Sequence, residues 1–324
     1  MEKIQINHLD LPIIRSCNLA CKGCMTHSDH KNIKGLVRLE ESLHWLEFWS
    51  QRLEPKAITL FGGEPLLHPE FVDWALAVNQ LWGSKVGINL NTNGYYLDRL
   101  IDNVDKLFNL DVSLSLVVSK QTGIDPYLSK VNDNVDRLKT AIQQYHLQQP
   151  GVKSAEWNLW LDKYEVNTKR WYVLLVNGNN TGIGLTTCEQ YKLHWCVHYL
   201  GQGETMRPVY SYQDNHYATN HGLCQTNEFV TLYRGRLWKC PPMGVLEHTL
   251  TTFGLTDSPA WAPYITDYAT VGPESTDAEI AAWIERQKNP ERVCNMCGFS
   301  GPGMENVVRD DRSHLLKNYW NYTL

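Results

Sequence analysis

The chain lacks any run of ~18 or more apolar residues, which excludes a membrane-spanning helix at the level of sequence. It lacks an apolar signal region too: Met1-Glu2-Lys3-Ile4-Gln5-Ile6-Asn7 passes straight into domain sequence, without a small-residue cleavage site. A reducing, cytoplasmic compartment is the expectation. There is no surplus of positive charge. Thirty Lys and Arg against 35 Asp and Glu give a formal net charge of -5, so nothing points to nucleic acid or a membrane surface as partner. No internal repeat and no low-complexity tract interrupts the 324 residues.

Aromatic residues and cysteine, in contrast, are plentiful. Twelve Trp, 16 Tyr and 7 Phe are too many rings to leave in water, so the chain folds around a core. Its length suits one large α/β core or a core with a smaller satellite. Nine cysteines stand at 17, 21, 24, 188, 196, 224, 240, 294 and 297. An odd, clustered set in a chain without a secretion signal reads as metal ligation plus a few free thiols, not as a disulfide framework.

The first two-thirds alternate short apolar strands with amphipathic helices. Strands are expected at 11–15, 57–61, 86–91, 109–116, 155–161 and 171–176. Helices are expected at 39–51, 69–81, 97–104 and 131–145. Such alternation predicts parallel βα units with functional loops at the C-terminal strand ends, about six of them and thus fewer than a closed eightfold barrel. After ~185 the texture turns irregular. Residues 229–233 and 237–239 flank Arg234-Gly235-Arg236 as a β-hairpin, 251–275 reads as a long loop, and helices are expected at 278–287 and 314–319. The division is a core over 1–185, a connecting segment over 186–222 and a cysteine-bearing module over 223–324.

The most informative stretch is Cys17-Asn18-Leu19-Ala20-Cys21-Lys22-Gly23-Cys24. Three thiolates in a loop leaving a strand can wrap one face of a soft-metal centre. Three cysteines on a [4Fe–4S] cube leave one iron open to an outside ligand. A structural zinc site completed by His27 fits the same spacing.

With Gly62-Gly63-Glu64-Pro65 closing the second strand, the chain resembles the radical S-adenosylmethionine (SAM) superfamily over nearly its whole length. The resemblance implies a partial (β/α)6 TIM-like barrel in which Cys17, Cys21 and Cys24 hold a [4Fe–4S] cluster. The open iron then chelates the amino and carboxylate groups of SAM, and Gly62, Gly63, Glu64 and Pro65 contact its methionine end. Two glycines permit close backbone approach, and backbone carbonyls or a carboxylate can accept from an ammonium. Asn93 after the third strand, and Ser113 and Ser115 on one face of the fourth, are candidates for the SAM ribose or carboxylate. Many members carry an aromatic residue at the position of Gly23, so Met25 is a candidate cover for the adenine. An external low-potential donor such as flavodoxin or ferredoxin is implied as electron source.

Cys224, Cys240, Cys294 and Cys297 form a second set, whose spacing alone leaves zinc and an iron–sulfur cube open. The pattern is similar to the Twitch module, the shorter relative of SPASM, and to the arrangement in a radical SAM dehydrogenase acting on 2-deoxy-scyllo-inosamine. That resemblance implies one auxiliary [4Fe–4S] cluster, fully covered by protein and suited to electron transfer. Cys188 and Cys196, with His194 and His198 nearby, suggest a metal site, but the other seven cysteines fill both shells without them, which leaves structural thiols or a thiol that donates a hydrogen atom or proton or joins substrate.

The chemistry so implied is reductive cleavage of SAM to a 5′-deoxyadenosyl radical, abstraction of a substrate hydrogen atom, and oxidation of the substrate radical by the second cluster. A small polar metabolite or a peptide is the expected substrate. The start of the cysteine loop at residue 17 weakens a leader-peptide reading. Redox-neutral epimerisation and a non-catalytic metal-binding partner protein are the alternatives. Glu156, Asp162 and Glu189 are loose candidates for a general base, and no catalytic residue is assigned.

Overall fold

Apolar residues at every second position set up the sheet. The structure is a computed structural model that describes residues 2–21, 24–30, 32–109, 111–112, 114–120, 125–164, 167–188, 196–224 and 226–298. Strands β1 (Ile4–Ile14), β2 (Leu53–Gly62), β3 (Gly87–Thr92) and β4 (Leu114–Ser119) pair in parallel, in that order. Register aligns Leu9 with Ile58, Ile88 and Leu114, and Leu11 with Leu60, Leu90 and Leu116, all at most 1% exposed. Each such side chain contributes about 2 kcal/mol relative to exposure. Helices α1 (Leu39–Ser50), α2 (Phe71–Trp82) and α5 (Asp125–Leu147) supply Trp45, Trp49, Trp74, Val78, Leu138 and Ile142 to the same core. Two one-turn helices, α3 (Asp98–Ile101) and α4 (Val104–Leu107), stand where a single helix is expected.

The opposite face of the sheet is polar. One register row aligns Asp10, Thr59, Asn89 and Ser115, with Thr231 beyond Asp10. That face looks into the half-barrel, and the C-terminal strand ends carry the loops of interest.

The alternation of strand and helix stops sooner than the sequence suggests. β5 (Ala155–Tyr164) and β6 (Asn167–Val176) are antiparallel, and β7 (Asn179–Cys188) follows antiparallel to β6. Between β6 and β7 the cause is local: Asn177 and Gly178 both have positive φ, 50° and 80°, and form a two-residue hairpin turn too short for a parallel crossover. β7 then pairs in parallel with β4, and β8 (Phe229–Tyr233) in parallel with β1. Six strands therefore run parallel, as a six-unit partial barrel requires, but β7 and β8 take the places expected of 155–161 and 171–176. The nine-stranded sheet runs β5-β6-β7-β4-β3-β2-β1-β8-β9 and does not close.

The expected hairpin forms between β8 and β9 (Arg236–Trp238), and it continues the core sheet. Helix α7 (Pro241–Thr252) stands where no element is expected, and its last two residues enter the loop expected at 251–275. Its two prolines sit in the first turn, where they cost little, and it is buried on several sides, so no amphipathic period marks it. Gly244 meets Thr231 and Trp238, which seats α7 on the polar face of the hairpin. Helices α6 (Tyr217–Leu223), α8 (Ala262–Thr266) and α9 (Asp277–Gln287) complete the chain as described. The expected helix at 314–319 lies outside the described residues. No helix among the described residues is long and apolar enough to cross a membrane.

Candidate metal centres

The first cysteine loop is built by backbone contacts at two strand ends. Gly63 N donates to Ile14 O (2.8 Å) and Glu64 N to Ser16 O (2.9 Å), joining the exit of β2 to the exit of β1. A Cβ at Gly62, whose φ is +148°, would lie 2.0 Å from Ile14 O, and one at Gly63 would lie 2.1 Å from Ser16 O. Only glycine allows this approach.

Glu64 is fully buried, and both its oxygens point inward. They accept from Leu66 N (3.1 Å), Thr92 Oγ1 (2.6 Å) and Asn93 N (2.8 Å). Burial raises its pKa to about 7, against the lowering effect of these donors. Glu64 therefore ties the ends of β2 and β3 together, and of the two acceptor types expected at Gly62–Pro65 the carboxylate is already spent. Asn93 continues the tie: its Nδ2 donates to Asn18 Oδ1 (2.7 Å) and lies 4.0 Å from Cys17 Sγ, while its Oδ1 accepts from Tyr95 N.

Cys17, Cys21 and Cys24 are half-buried on this support. Burial pushes the Cys17 thiol well up, and Cys21, Glu64 and Cys24 add to it. Burial and then Asp29 raise Cys24. Such thiols stay protonated until a cation displaces the proton. Arg15 is 2% exposed and meets neutral acceptors: Thr26 O (3.2 Å), Thr249 Oγ1 (2.9 Å), His248 Nδ1 (3.1 Å) and Val245 O (3.5 Å). Among the described residues it forms no ion pair with a carboxylate, and Cys24 is one of the anionic groups that favour its charge. A buried cation beside a thiol loop suits a negatively charged, thiolate-ligated centre. Met25, half-buried, follows Cys24 directly.

The second set is assembled from distant segments. Burial raises Cys240 strongly, with Cys297, Cys224 and Cys294 adding to the effect, so the four thiols share one neighbourhood. Burial moves Cys294 to about 11. Asn220 Nδ2 donates to both Cys294 O (3.0 Å) and Cys297 O (2.8 Å), and Cys224 lies immediately after that helix. Lys239, 5% exposed, donates to Gln287 O and Asn289 O, tying the segment before Cys240 to the approach of Cys294.

Donor spacing bears on a single-ion site. Four thiolates on one tetrahedral zinc stand about 3.8 Å apart, from a Zn–S bond of about 2.3 Å. Among the described residues, three donors all within 4.8 Å of one another occur at Cys196, His198 and Cys297. Cys17, Cys21 and Cys24 do not all lie that close, and neither do three of Cys224, Cys240, Cys294 and Cys297. Each set consists of thiols, the soft ligands that zinc and iron–sulfur groups share.

Ser115 lies four residues before the end of β4, level with Asp10 and Thr59, and packs against Gly184. The strand ends at Ser119, not at the expected 116, so Ser119 is the serine at the level of the loops. The Cys188 thiol lies 3.6 Å from its hydroxyl. Cys196 contacts Val197 O and His198, and its sulfur lies within 4.8 Å of that of Cys297. Glu156 is exposed on β5, where Asp162 also lies. Ser113, Gly23, Glu189 and His194 lie outside the described residues. Asp29, His30 and Tyr199, which gather with His27 beside Cys24, escaped sequence reasoning, although His27-Ser28-Asp29-His30 directly follows the cysteine loop. Burial, then Arg15 and His198, holds His27 well below its usual range, and burial raises Asp29 to about 7.

Comparison with known proteins bears on residues 11–146, which match the family model "Radical SAM superfamily". GTP 3′,8-cyclase from Microcystis aeruginosa (strain NIES-843 / IAM M-2473) is 33% identical over 101 residues, 30% of this chain and 30% of the cyclase. S-adenosylmethionine-dependent nucleotide dehydratase from Selenomonas ruminantium is 34% identical over 86 residues, 26% of this chain and 29% of the dehydratase. The chain thus aligns with less than a third of the length of these two relatives. A crystal structure of BtrN in complex with AdoMet and 2-DOIA aligns over 92% of this chain and 94% of its own, at 12% identity and a TM-score of 0.44.

Proposed function

We propose, from the premise that residues 11–146 are a radical SAM domain, that this chain is an oxidoreductase that cleaves SAM reductively and removes two electrons from a C–H-bearing substrate. The observation that carries the reading is the joined exit of β1 and β2, where three thiols stand on a backbone contact that only Gly62 and Gly63 permit. Cys17, Cys21 and Cys24 hold a [4Fe–4S] cluster with one open iron, and Cys224, Cys240, Cys294 and Cys297 hold an auxiliary one. When bound, the clusters and SAM supply a 5′-deoxyadenosyl radical and a one-electron acceptor, which is what net dehydrogenation or ring formation needs.

The chain's own residues bind, orient and seal. Gly62, Gly63 and Pro65 offer backbone carbonyls to the methionine end of SAM, while Glu64 holds them in place and Asn93 fixes the Cys17 side of the loop. Met25 covers the adenine, Ser113 and Ser115 are candidates for the SAM ribose or carboxylate, and Ser115 and Ser119 lie on the face of β4 turned to the half-barrel. Trp261 and Tyr264, both fully buried, donate to Met206 O and Tyr210 O and close the region beside the second set against water. The division into a core (1–185), a connecting segment (186–222) and an auxiliary-cluster module (223–324) belongs to the same reading. So do a cytoplasmic setting, a flavodoxin- or ferredoxin-type electron donor and a small polar metabolite or peptide as substrate.

One observation supports a redox-neutral second reading. Cys188 ends β7 beside Ser119 at the level of the cysteine loop, where a hydrogen-donating thiol of an epimerase belongs. Cys196, packed near Cys297, is less suited to that role.

The test is anaerobic reconstitution with iron and sulfide counts, EPR of the reduced protein with and without SAM, and assay of 5′-deoxyadenosine. Two clusters are expected, one with a spectrum altered by SAM. Cys24→Ala should abolish SAM cleavage, and Cys240→Ala should lose the second cluster while still cleaving SAM. Reductive cleavage by the Cys24→Ala protein would falsify the assignment.

A further inference from the structure

One extended segment lies between the two cysteine sets and touches both. Val197 and Gly298 exchange backbone hydrogen bonds, Val197 N to Gly298 O (2.8 Å) and Gly298 N to Val197 O (2.7 Å), which pins the segment beside Cys297. Leu200 and Arg207 exchange a second such pair (2.8 Å each). Consecutive side chains of an extended chain point to opposite sides. His198 accordingly faces the second set: its Nδ1 lies 3.2 Å from Cys297 Sγ and 3.6 Å from Cys196 Sγ. Tyr199 faces the first. Its hydroxyl donates to Asp29, and its ring stands edge-on to His27 (5.0 Å) and tilted against His30 (5.1 Å), both in the segment that follows Cys24. His198 is 8% exposed and Tyr199 3%, so neither contact is shared with bulk water.

A sulfur that ligates a metal carries no proton and can only accept, so the ring nitrogen 3.2 Å away must be the donor. The positive end of an N–H dipole aimed at a cluster sulfur favours the form with one more electron, and hydrogen bonds to the sulfurs are among the determinants of cluster potential. In a buried site, little water screens that dipole. Asn220 is bound to the backbone carbonyls of Cys294 and Cys297, so it shapes the second set without touching sulfur. Thr226, 3.3 Å from Cys224 Sγ, touches a different thiol.

We propose that His198 donates from Nδ1 to the Cys297 sulfur and raises the reduction potential of the auxiliary centre. In the same segment, Tyr199 holds Asp29 beside Cys24, so that residues 197–199 set the two centres in one frame. His198 is a positioning residue for electron acceptance and touches no substrate. The inference rests on the auxiliary-cluster reading given above.

Redox titration of the anaerobically loaded protein, followed by EPR, tests it. His198→Leu removes the donor and should shift the midpoint of the second cluster to more negative potential, leaving the SAM-dependent spectrum of the first unchanged. His198→Asn, whose amide can donate from nearly the same place, should restore the midpoint most of the way. Tyr199→Phe should alter the first spectrum and leave the second midpoint where it is. If His198→Leu fails to retain the second cluster, the Asn variant decides: retention at the wild-type midpoint supports the donor role, and a midpoint moved negative overturns it. A loaded His198→Leu protein with the wild-type midpoint sinks this inference alone. A wild-type protein that holds a single cluster overturns both this inference and the auxiliary-cluster reading.

Discussion

The two cysteine sets are made in opposite ways. Cys17, Cys21 and Cys24 lie within eight residues of one another, and the backbone that carries them is fixed at the ends of adjacent parallel strands: Gly62 and Gly63 at the exit of β2, Glu64 between β2 and β3, Asn93 after β3. Cys224, Cys240, Cys294 and Cys297 span more than seventy residues of chain and meet only because Asn220, Lys239 and the Val197–Gly298 bridge draw distant segments together. A centre of the first kind depends on strand register and close backbone approach. A centre of the second kind depends on loop packing, and opens first when packing loosens.

That contrast can be broken most sharply at Gly63. A methyl group there would meet Ser16 O at 2.1 Å and Arg15 O at 2.9 Å, and a backbone cannot step aside as a flexible side chain can. Gly63→Ala should cost stability at the upper end of the roughly 1–3 kcal/mol seen for overpacking, and should strip iron from the first centre. Iron analysis with EPR should find the second centre still loaded. Equal loss from both would mean that the sets are not independently built.

Glu64 offers a pH test on the metal-free protein. Its folded pKa, about 7, exceeds the ordinary 4.5, so the folded state binds the proton more tightly than the unfolded one. Its contribution to stability is thus complete below about pH 4.5 and is lost as pH rises through about 7, a difference of about 3 kcal/mol. Urea midpoints across that interval should fall with rising pH in the wild-type chain. In Glu64→Gln the trend should flatten on a lower baseline, because an amide cannot accept at both positions. A Gln variant with the wild-type slope would remove Glu64 as the source.

Much of the first centre is legible in sequence because its parts are short-range or sit at strand ends. CxxxCxxC after β1, the glycine pair after β2 and Asn93 after β3 can each be read from a few neighbouring residues. The strand-by-strand reading fails where a tertiary or turn feature decides. Asn177-Gly178 turns the chain straight back after the strand expected at 171–176, so β6 pairs antiparallel with β7, and the late start of β4 moves the serine at its end from 115 to 119. Helix α7 is buried throughout its first half and polar only from Glu247 on, too short a stretch for a period to show, and its Pro241-Pro242 start resembles a break. The strap at 197–199 has no sequence signature. His198 gains meaning only from a thiol 99 residues away.

The smallest expected effect lies at Asn220. Its amide is the shared donor for Cys294 O and Cys297 O, and it reaches both from α6, a short helix whose other residues are largely at the surface. Asn220→Ala leaves two carbonyls to find other donors, at a cost of about 1–2 kcal/mol. The loss should appear as faster release of iron from the second centre to a chelator, with the first centre releasing at its wild-type rate. Because Asn220 touches backbone and not sulfur, the midpoint potential of the retained cluster should stay unchanged, unlike that of His198→Leu. A shifted midpoint in Asn220→Ala would mean that the carbonyl positions, and not the imidazole donor alone, govern the electron affinity of the second centre.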